Sequence, residues 1–136
     1  MREFALDLLG TQGIDFELKT PHTGETVHLS LEVRRQLFLL FKECIHNVAR
    51  HSGCTAVKAE LKVADRDVIL TVEDNGSGLN PVVKPPGWTG GNGIPGMRRR
   101  TESLGGHMQF TSNPGEGCTV TIHIPSRRAA FTKSSV

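Results

Sequence analysis

Leu37, Leu40, Phe41, Cys44, Ile45 and Val48 recur at three- and four-residue intervals, which predicts a long helix with one core-facing stripe. Ser30 supplies a capping hydroxyl and Glu32 an acid for the first turn, while Gly53 stops the helix after about Ser52. Elsewhere the period falls to two. Val57 to Val63 and Val68 to Val72 read as paired strands joined through Asp65-Arg66-Asp67. His107 to Thr111 and Cys118 to Ile124 form a second pair around Asn113-Pro114-Gly115. Ile14 to Leu18 alternates as a half-buried strand, and Thr26 to Leu29 reads as a shorter one after the turn Pro21 to Gly24. Residues 3–9 are an amphipathic lead-in ended by Gly10, and Ile94 to Leu104 is a helix with Pro95 in its first turn and Gly105-Gly106 at its end. Residues 79–93 carry Pro81, Pro85 and Pro86 and no apolar period, so they read as a long mobile loop of the kind that serves function. Strand, long helix, hairpin, loop, helix, hairpin is the order of an α+β fold: a two-layer α/β sandwich whose mixed sheet carries its helices on one face.

The bulk properties narrow this picture. A chain of 136 residues makes one domain with a real core. The net charge of +2 gives no grounds for nucleic-acid binding or membrane contact, and no apolar run reaches the roughly 20 residues of a membrane span. Cys44, Cys54 and Cys118 lack metal-ligand spacing and read as reduced packing thiols of a cytoplasmic domain. The six histidines form no zinc or nucleophilic pattern.

Three segments carry candidate chemistry. In the long helix Glu43, Asn47 and His51 are four residues apart and share one stripe beside the apolar face. An asparagine carbonyl there suits Mg²⁺, which takes oxygen ligands and keeps several waters. Glu43 could orient or deprotonate a water, and Arg50 or His51 could reach phosphate oxygens. Equally, the stripe could be a solvated edge with intrahelical pairs. Asp74 ends an apolar strand and runs into Asn75-Gly76-Ser77-Gly78, where glycines permit close approach of a ligand and the carboxylate can accept from an exocyclic amine such as adenine N6. Asp-Asn-Gly is also a common hairpin signal, but no strand follows here. Gly91-Asn92-Gly93-Ile94-Pro95-Gly96 matches the dinucleotide fingerprint only literally, since a loop rather than a strand precedes it. Glycine amides at a helix N-terminus still make an anion site, with Arg98, Arg99 and Arg100 adding charge. No P-loop is present. Thr119 opens the last strand and is expected beside Asp74, although a plain β-favouring threonine is the default.

Together these segments resemble the boxes of the Bergerat-fold (GHKL) ATP-binding superfamily, which joins gyrase, chaperone, MutL-type and histidine-kinase ATPase domains. Glu43-x-x-x-Asn47-x-x-Arg50-His51 resembles the N box, Asp74-x-Gly76-x-Gly78 the G1 box, and Gly91-x-Gly93-Ile94-x-Gly96-Met97 the G2 box; Gly117-Cys118-Thr119 with Pro125 is similar to the last strand. The short lid, the Gly-Met-Arg-Arg-Arg run and Leu104-Gly105-Gly106 look most like sensor histidine kinases that drive NarL/LuxR-type response regulators. The resemblance implies ATP and Mg²⁺ as ligands. Asn47 would hold the metal and Asp74 the adenine amino group. Gly76 and Gly78 would shape the base pocket, Gly91, Gly93 and Gly96 would close on phosphates, and Thr119 would support adenine through water. Ile94 and Met97 belong to the same box, and Glu43 matches the general base of related hydrolases. The implied organisation is a lead-in at 1–12 from a preceding domain, an ATP-binding catalytic domain at 13–125 and a disordered tail at 126–136. The implied activity is transfer of the γ-phosphate to a histidine on a separate helical dimerisation domain, with a response regulator downstream and membrane anchoring of the parent left open. The alternative is a stand-alone serine kinase of the anti-sigma type.

Overall fold

The computed structural model describes residues 1–20, 27–28, 30–51, 53–64, 67–76, 93–113, 115–125 and 132–133. The long helix, α2 (Leu31–His51), starts as expected: the Ser30 hydroxyl accepts from the Val33 amide at 3.2 Å. Every residue of the predicted stripe is buried, and Val33 extends it by one turn. Gly53, at φ +61°, turns the chain out of the helix in a conformation that only glycine adopts readily.

Five strands form the sheet, in the order β1 (Asp15–Lys19), β3 (Ala56–Ala64), β4 (Asp67–Asp74), β6 (Gly117–Ile124), β5 (His107–Asn113). β1 lies parallel to β3 and the other neighbours are antiparallel, so the sheet is mixed as predicted. A parallel pair needs a crossover, and α2 supplies it. A two-residue strand β2 (Val27–His28) pairs with β7 (Thr132–Lys133), in a tail where the sequence carries no core pattern.

Alternation assigns each strand residue to a layer. Val68, Leu70, Val72 and Asp74 of β4 are buried together with Cys118, Val120, Ile122 and Ile124 of β6. The odd-numbered residues between them face the open side and are half-buried, apart from the exposed Glu73. One covered face and one open face make the two-layer sandwich. On the covered side α2 packs with α3 (Gly93–Ser103), whose Pro95 sits in the first turn. The end of α3 closes in a Schellman motif: the Gly106 amide reaches Thr101 O at 3.1 Å and the Gly105 amide Glu102 O at 2.9 Å. Gly106 is required for contact as well, since a Cβ there would overlap the His123 carbonyl oxygen.

The lead-in forms α1 (Arg2–Gly10), and it joins the same core as residues 14–124. Ala5 and Leu9 are fully buried, and Phe4 meets Phe38 and His46 of α2 edge-on, with Lys42 Nζ 5.2 Å above its ring. All three cysteines are buried and outside any disulfide, and burial pushes the Cys44 thiol up to about 12. Among the described residues no helix is long and apolar enough to cross a membrane. The expected mobile loop at 79–93 lies outside the described residues, except for Gly93, which opens α3.

Because Leu9 is sealed and Leu6 is 48% exposed, the two positions of α1 should respond differently to truncation. Leu9→Ala should destabilise the domain by about 2–4 kcal/mol in urea denaturation, and Leu6→Ala by less than about 0.5 kcal/mol. Equal small effects would show that α1 is not part of the core.

Candidate functional site

Three element ends hold most of the predicted residues: the last turns of α2, the end of β4 and the first turns of α3. Glu43 and Asn47 are half-buried on α2 beside Cys44, Ile45 and Val48, and Arg50 is exposed one turn on. The stripe therefore lies at the edge of the core, as its spacing predicts. His51 closes the helix. Gly78 and Gly91 lie outside the described residues.

α2 and α3 meet directly at the predicted residues. The Asn47 amide nitrogen lies 3.9 Å from the Met97 sulfur, a thioether acceptor on a side chain that is itself buried. An Asn side chain turned the other way would set its carbonyl oxygen against the sulfur lone pairs. The contact thus gives Asn47 a preferred orientation, with Oδ1 directed away from Met97 and available as a neutral oxygen ligand. Ile94 packs half-buried against the same core. Gly96 needs no space for the fold's sake: a Cβ there would meet only the tip of Arg99, at 3.9 Å.

Asp74 is the chemically informative residue, a carboxylate only 6% exposed at the end of a core strand. Loss of water raises its pKa above the usual carboxylate range. The amides of Gly76 and Cys118 pull the other way, and the neighbouring charge of Glu73 adds to the rise. The Gly76 amide donates to Oδ1 at 2.9 Å, forming an Asx turn. Gly117, at φ +86°, lets the two chains approach so closely that a Cβ would overlap the Asp74 carbonyl oxygen.

Two expectations are corrected by the geometry. Thr119 is opposite Glu73 in the β4–β6 register, so its side chain belongs to the open face; the residue opposite Asp74 is Cys118. Parity was the available signal, because even-numbered residues point to the core on both strands. The arginine run divides instead of converging: Arg98 donates to Met108 O at 3.0 Å, while Arg99 and Arg100 line a groove with Ser30, Glu32 and Gln36 at the start of α2, the tip of Arg99 also reaching Gly96. Ser30, Glu32 and Gln36 lie about 17–25 Å along α2 from Asn47, at about 1.5 Å per residue.

Sequence reasoning also passed over Asn75, treated as a variable position between Asp74 and Gly76. Its Oδ1 accepts from the amides of Thr55 and Ala56 at 2.9 and 3.0 Å, its Nδ2 donates to Thr55 Oγ1 at 2.9 Å, and its own amide reaches Ala56 O at 3.3 Å. No periodicity marks such a residue.

A carboxylate held at a strand end, an oriented asparagine on the covering helix and a glycine in the first turn of the next helix are thus brought to one end of the domain. The chain is 34% identical over 99 residues to the signal transduction histidine-protein kinase/phosphatase UhpB of Salmonella typhimurium, covering 73% of this chain and 19% of that protein. It is 27% identical over 112 residues to DegS of Brevibacillus brevis, also a signal transduction histidine-protein kinase/phosphatase, covering 82% of this chain and 27% of DegS. The chain thus spans about a fifth to a quarter of the length of these relatives. In fold it matches the blue-light activated histidine kinase EL346 of Erythrobacter litoralis, with a TM-score of 0.75 at 24% identity over 93% of this chain and 41% of that one. The histidine kinase AdeS of Acinetobacter baumannii matches with a TM-score of 0.69 at 22% identity, over 92% and 62% of the two chains. Residues 32–128 match the histidine kinase-, DNA gyrase B-, and HSP90-like ATPase family, and the chain belongs to it.

Proposed function

We propose that this chain is the ATP-binding catalytic domain of a sensor histidine kinase, binding Mg·ATP and presenting the γ-phosphate to a histidine on a separate helical dimerisation domain. The observation that carries this reading is Asp74, a buried carboxylate pinned by two backbone amides and left facing the helical layer. Such a group accepts from the amino group of adenine and repels the carbonyl edge of guanine. The two kinase relatives favour the histidine-kinase reading over an anti-sigma-type serine kinase.

The remaining roles follow from position. Asn47 Oδ1 would hold the metal; its half-buried setting and its amide contact to Met97 suit an ion that takes neutral oxygen and keeps waters. Bound Mg²⁺ supplies charge neutralisation on the phosphates. Glu43, one turn earlier, would orient or deprotonate a water, and Arg50 or His51 would reach phosphate oxygens. The amides at the start of α3, with Gly93, Ile94 and Gly96 in its first turn, receive phosphate at the positive end of the helix. Gly76 and Gly78 shape the base pocket and Gly91 extends the phosphate loop. Cys118 rather than Thr119 lines the pocket beside Asp74. The catalytic unit takes in 13–125 together with α1, whose Ala5 and Leu9 are buried in the same core. The parent would work in the cytoplasm, and a NarL/LuxR-type response regulator would receive the phosphoryl group.

Calorimetric titration tests the central reading: ATP should bind saturably and GTP should not, and ATP affinity should rise with Mg²⁺. Asn47→Ala should remove about tenfold of affinity, nearly all of it in the presence of Mg²⁺. An equal loss with and without the metal would make Asn47 structural.

Asp74 also makes a pH prediction. A carboxyl whose folded pKa is raised contributes most to stability below its unfolded pKa, and that contribution is lost as pH rises through the folded value. The melting temperature of Asp74→Asn minus that of the unmodified protein should therefore increase as pH is raised from about 4 towards 7. The same variant should bind ATP at least about tenfold more weakly. A temperature difference that stays flat with pH would contradict the burial argument.

Gly96 separates ligand from fold. Within the protein nothing opposes a methyl group there, so Gly96→Ala should stabilise the nucleotide-free domain by about 0.5–1 kcal/mol. ATP binding should weaken all the same, since phosphate must approach that backbone closely. A variant that is stabilised and binds ATP normally would place the phosphates elsewhere.

A further inference from the structure

The strand ladder that supports Asp74 ends with Asp74 itself. On one side its Cα partner is Val57 of β3 and on the other Cys118 of β6, and neither register continues past this row. The next residues, Asn75 and Gly76, lie beyond the ladder, and a glycine adds no stiffness of its own. Yet the Gly76 amide must stay in place, because it is one of the two donors that aim the Asp74 carboxylate. Something other than the ladder has to hold the turn.

Asn75 does so. Its carboxamide behaves as an additional peptide group, accepting at Oδ1 from two consecutive amides of the segment that opens β3 and donating from Nδ2 to Thr55 Oγ1. Its own amide closes a fourth bond, to Ala56 O. Thr55 is in turn held by β1, since its carbonyl accepts from the Asp15 amide at 2.9 Å. The anchor therefore stands on the sheet at one end and on the exit of α2, through Gly53 and Cys54, at the other. Asn75 and Thr55 are both exposed, so water competes for these bonds and their net contribution to overall stability is small. Their effect is geometric: they decide where the Gly76 amide points.

We propose that Asn75 is the positioning residue of the base site, a clamp to Thr55 and Ala56 that fixes the turn after β4 and so keeps the Asp74 carboxylate aimed at the amino group of the nucleobase. The proposal rests on the reading of Asp74 as the adenine acceptor. Asn75 touches neither base nor phosphate in this scheme. It acts through Gly76 on the direction of one hydrogen bond.

The test compares ATP with inosine triphosphate, which carries a carbonyl oxygen in place of the amino group, by calorimetry on the 136-residue chain. The unmodified protein should prefer ATP by at least about tenfold. Asn75→Ala should bring the two nucleotides within about threefold, chiefly by weakening ATP. Thr55→Val, which removes only the Oγ1 bond, should give an intermediate ratio, and Thr55→Ser should keep the original one. Melting temperatures report whether each variant is folded; if Asn75→Ala is not, the Thr55 pair decides. Parallel loss of both nucleotides, or an unchanged ratio in Thr55→Val and Asn75→Ala, would overturn the clamp while leaving Asp74 as the acceptor. Absence of any ATP preference in the unmodified protein would instead overturn the Asp74 reading and the clamp with it.

Discussion

A carboxylate buried at the end of a core strand is the constraint on which this structure depends. Asp74 occupies a position that the alternation of β4 reserves for Val68, Leu70 and Val72, and an apolar residue there would fold with less difficulty. What makes the aspartate tolerable is a set of neighbours that have no other evident purpose. They are two amides aimed at it, a glycine at φ +86° that lets β6 come close, and a carboxamide that holds the turn beyond it. The burial that raises its pKa also strengthens any hydrogen bond it accepts, since water is not there to compete.

The helical layer divides its work along its length. One stripe of α2 fills the core from Val33 to Val48, and the adjoining edge, from Glu43 onward, carries polar side chains to the same end of the sheet as Asp74. The other end of α2 meets the last turns of α3 and its arginines. Contact between Asn47 and Met97 joins the two helices at the site itself, so a shift of α3 along its axis would disturb the orientation of the Asn47 amide. The end of β4, the last turns of α2 and the first turns of α3 thus meet at one corner of the domain.

Most of this was legible before any coordinates, because the signals were periodic or punctuated. The stripe of α2, the pairing of β3 with β4, and the glycine pair ending α3 each follow from spacing and from the few residues that cap or stop an element. The site was legible as residue types in order, though not fully as geometry. Thr119 was misplaced by one position, and in a strand one position is the opposite face. The Arg98–Arg100 run was read as a local charge, but helical rotation divides it, sending Arg98 to Met108 and setting Arg99 and Arg100 along the groove with the start of α2. Asn75 could not be found from pattern at all, because its partners, Thr55 and Ala56, are brought to it only by the closed sheet.

The position of β1 has a consequence for how such a domain survives in a crowded cell. As an outer strand of the sheet it has, among the described residues, no strand on its far side, and such an edge is the usual template for unwanted pairing with other chains. It is only five residues long, and its open-face residues Asp15, Glu17 and Lys19 are all exposed and charged. A second copy adding itself to that edge would have to bring its own side chains alongside this charged row. Solubility is thereby written into the same alternation that builds the core: the odd residues of β1 guard the rim while Phe16 and Leu18 pack inward.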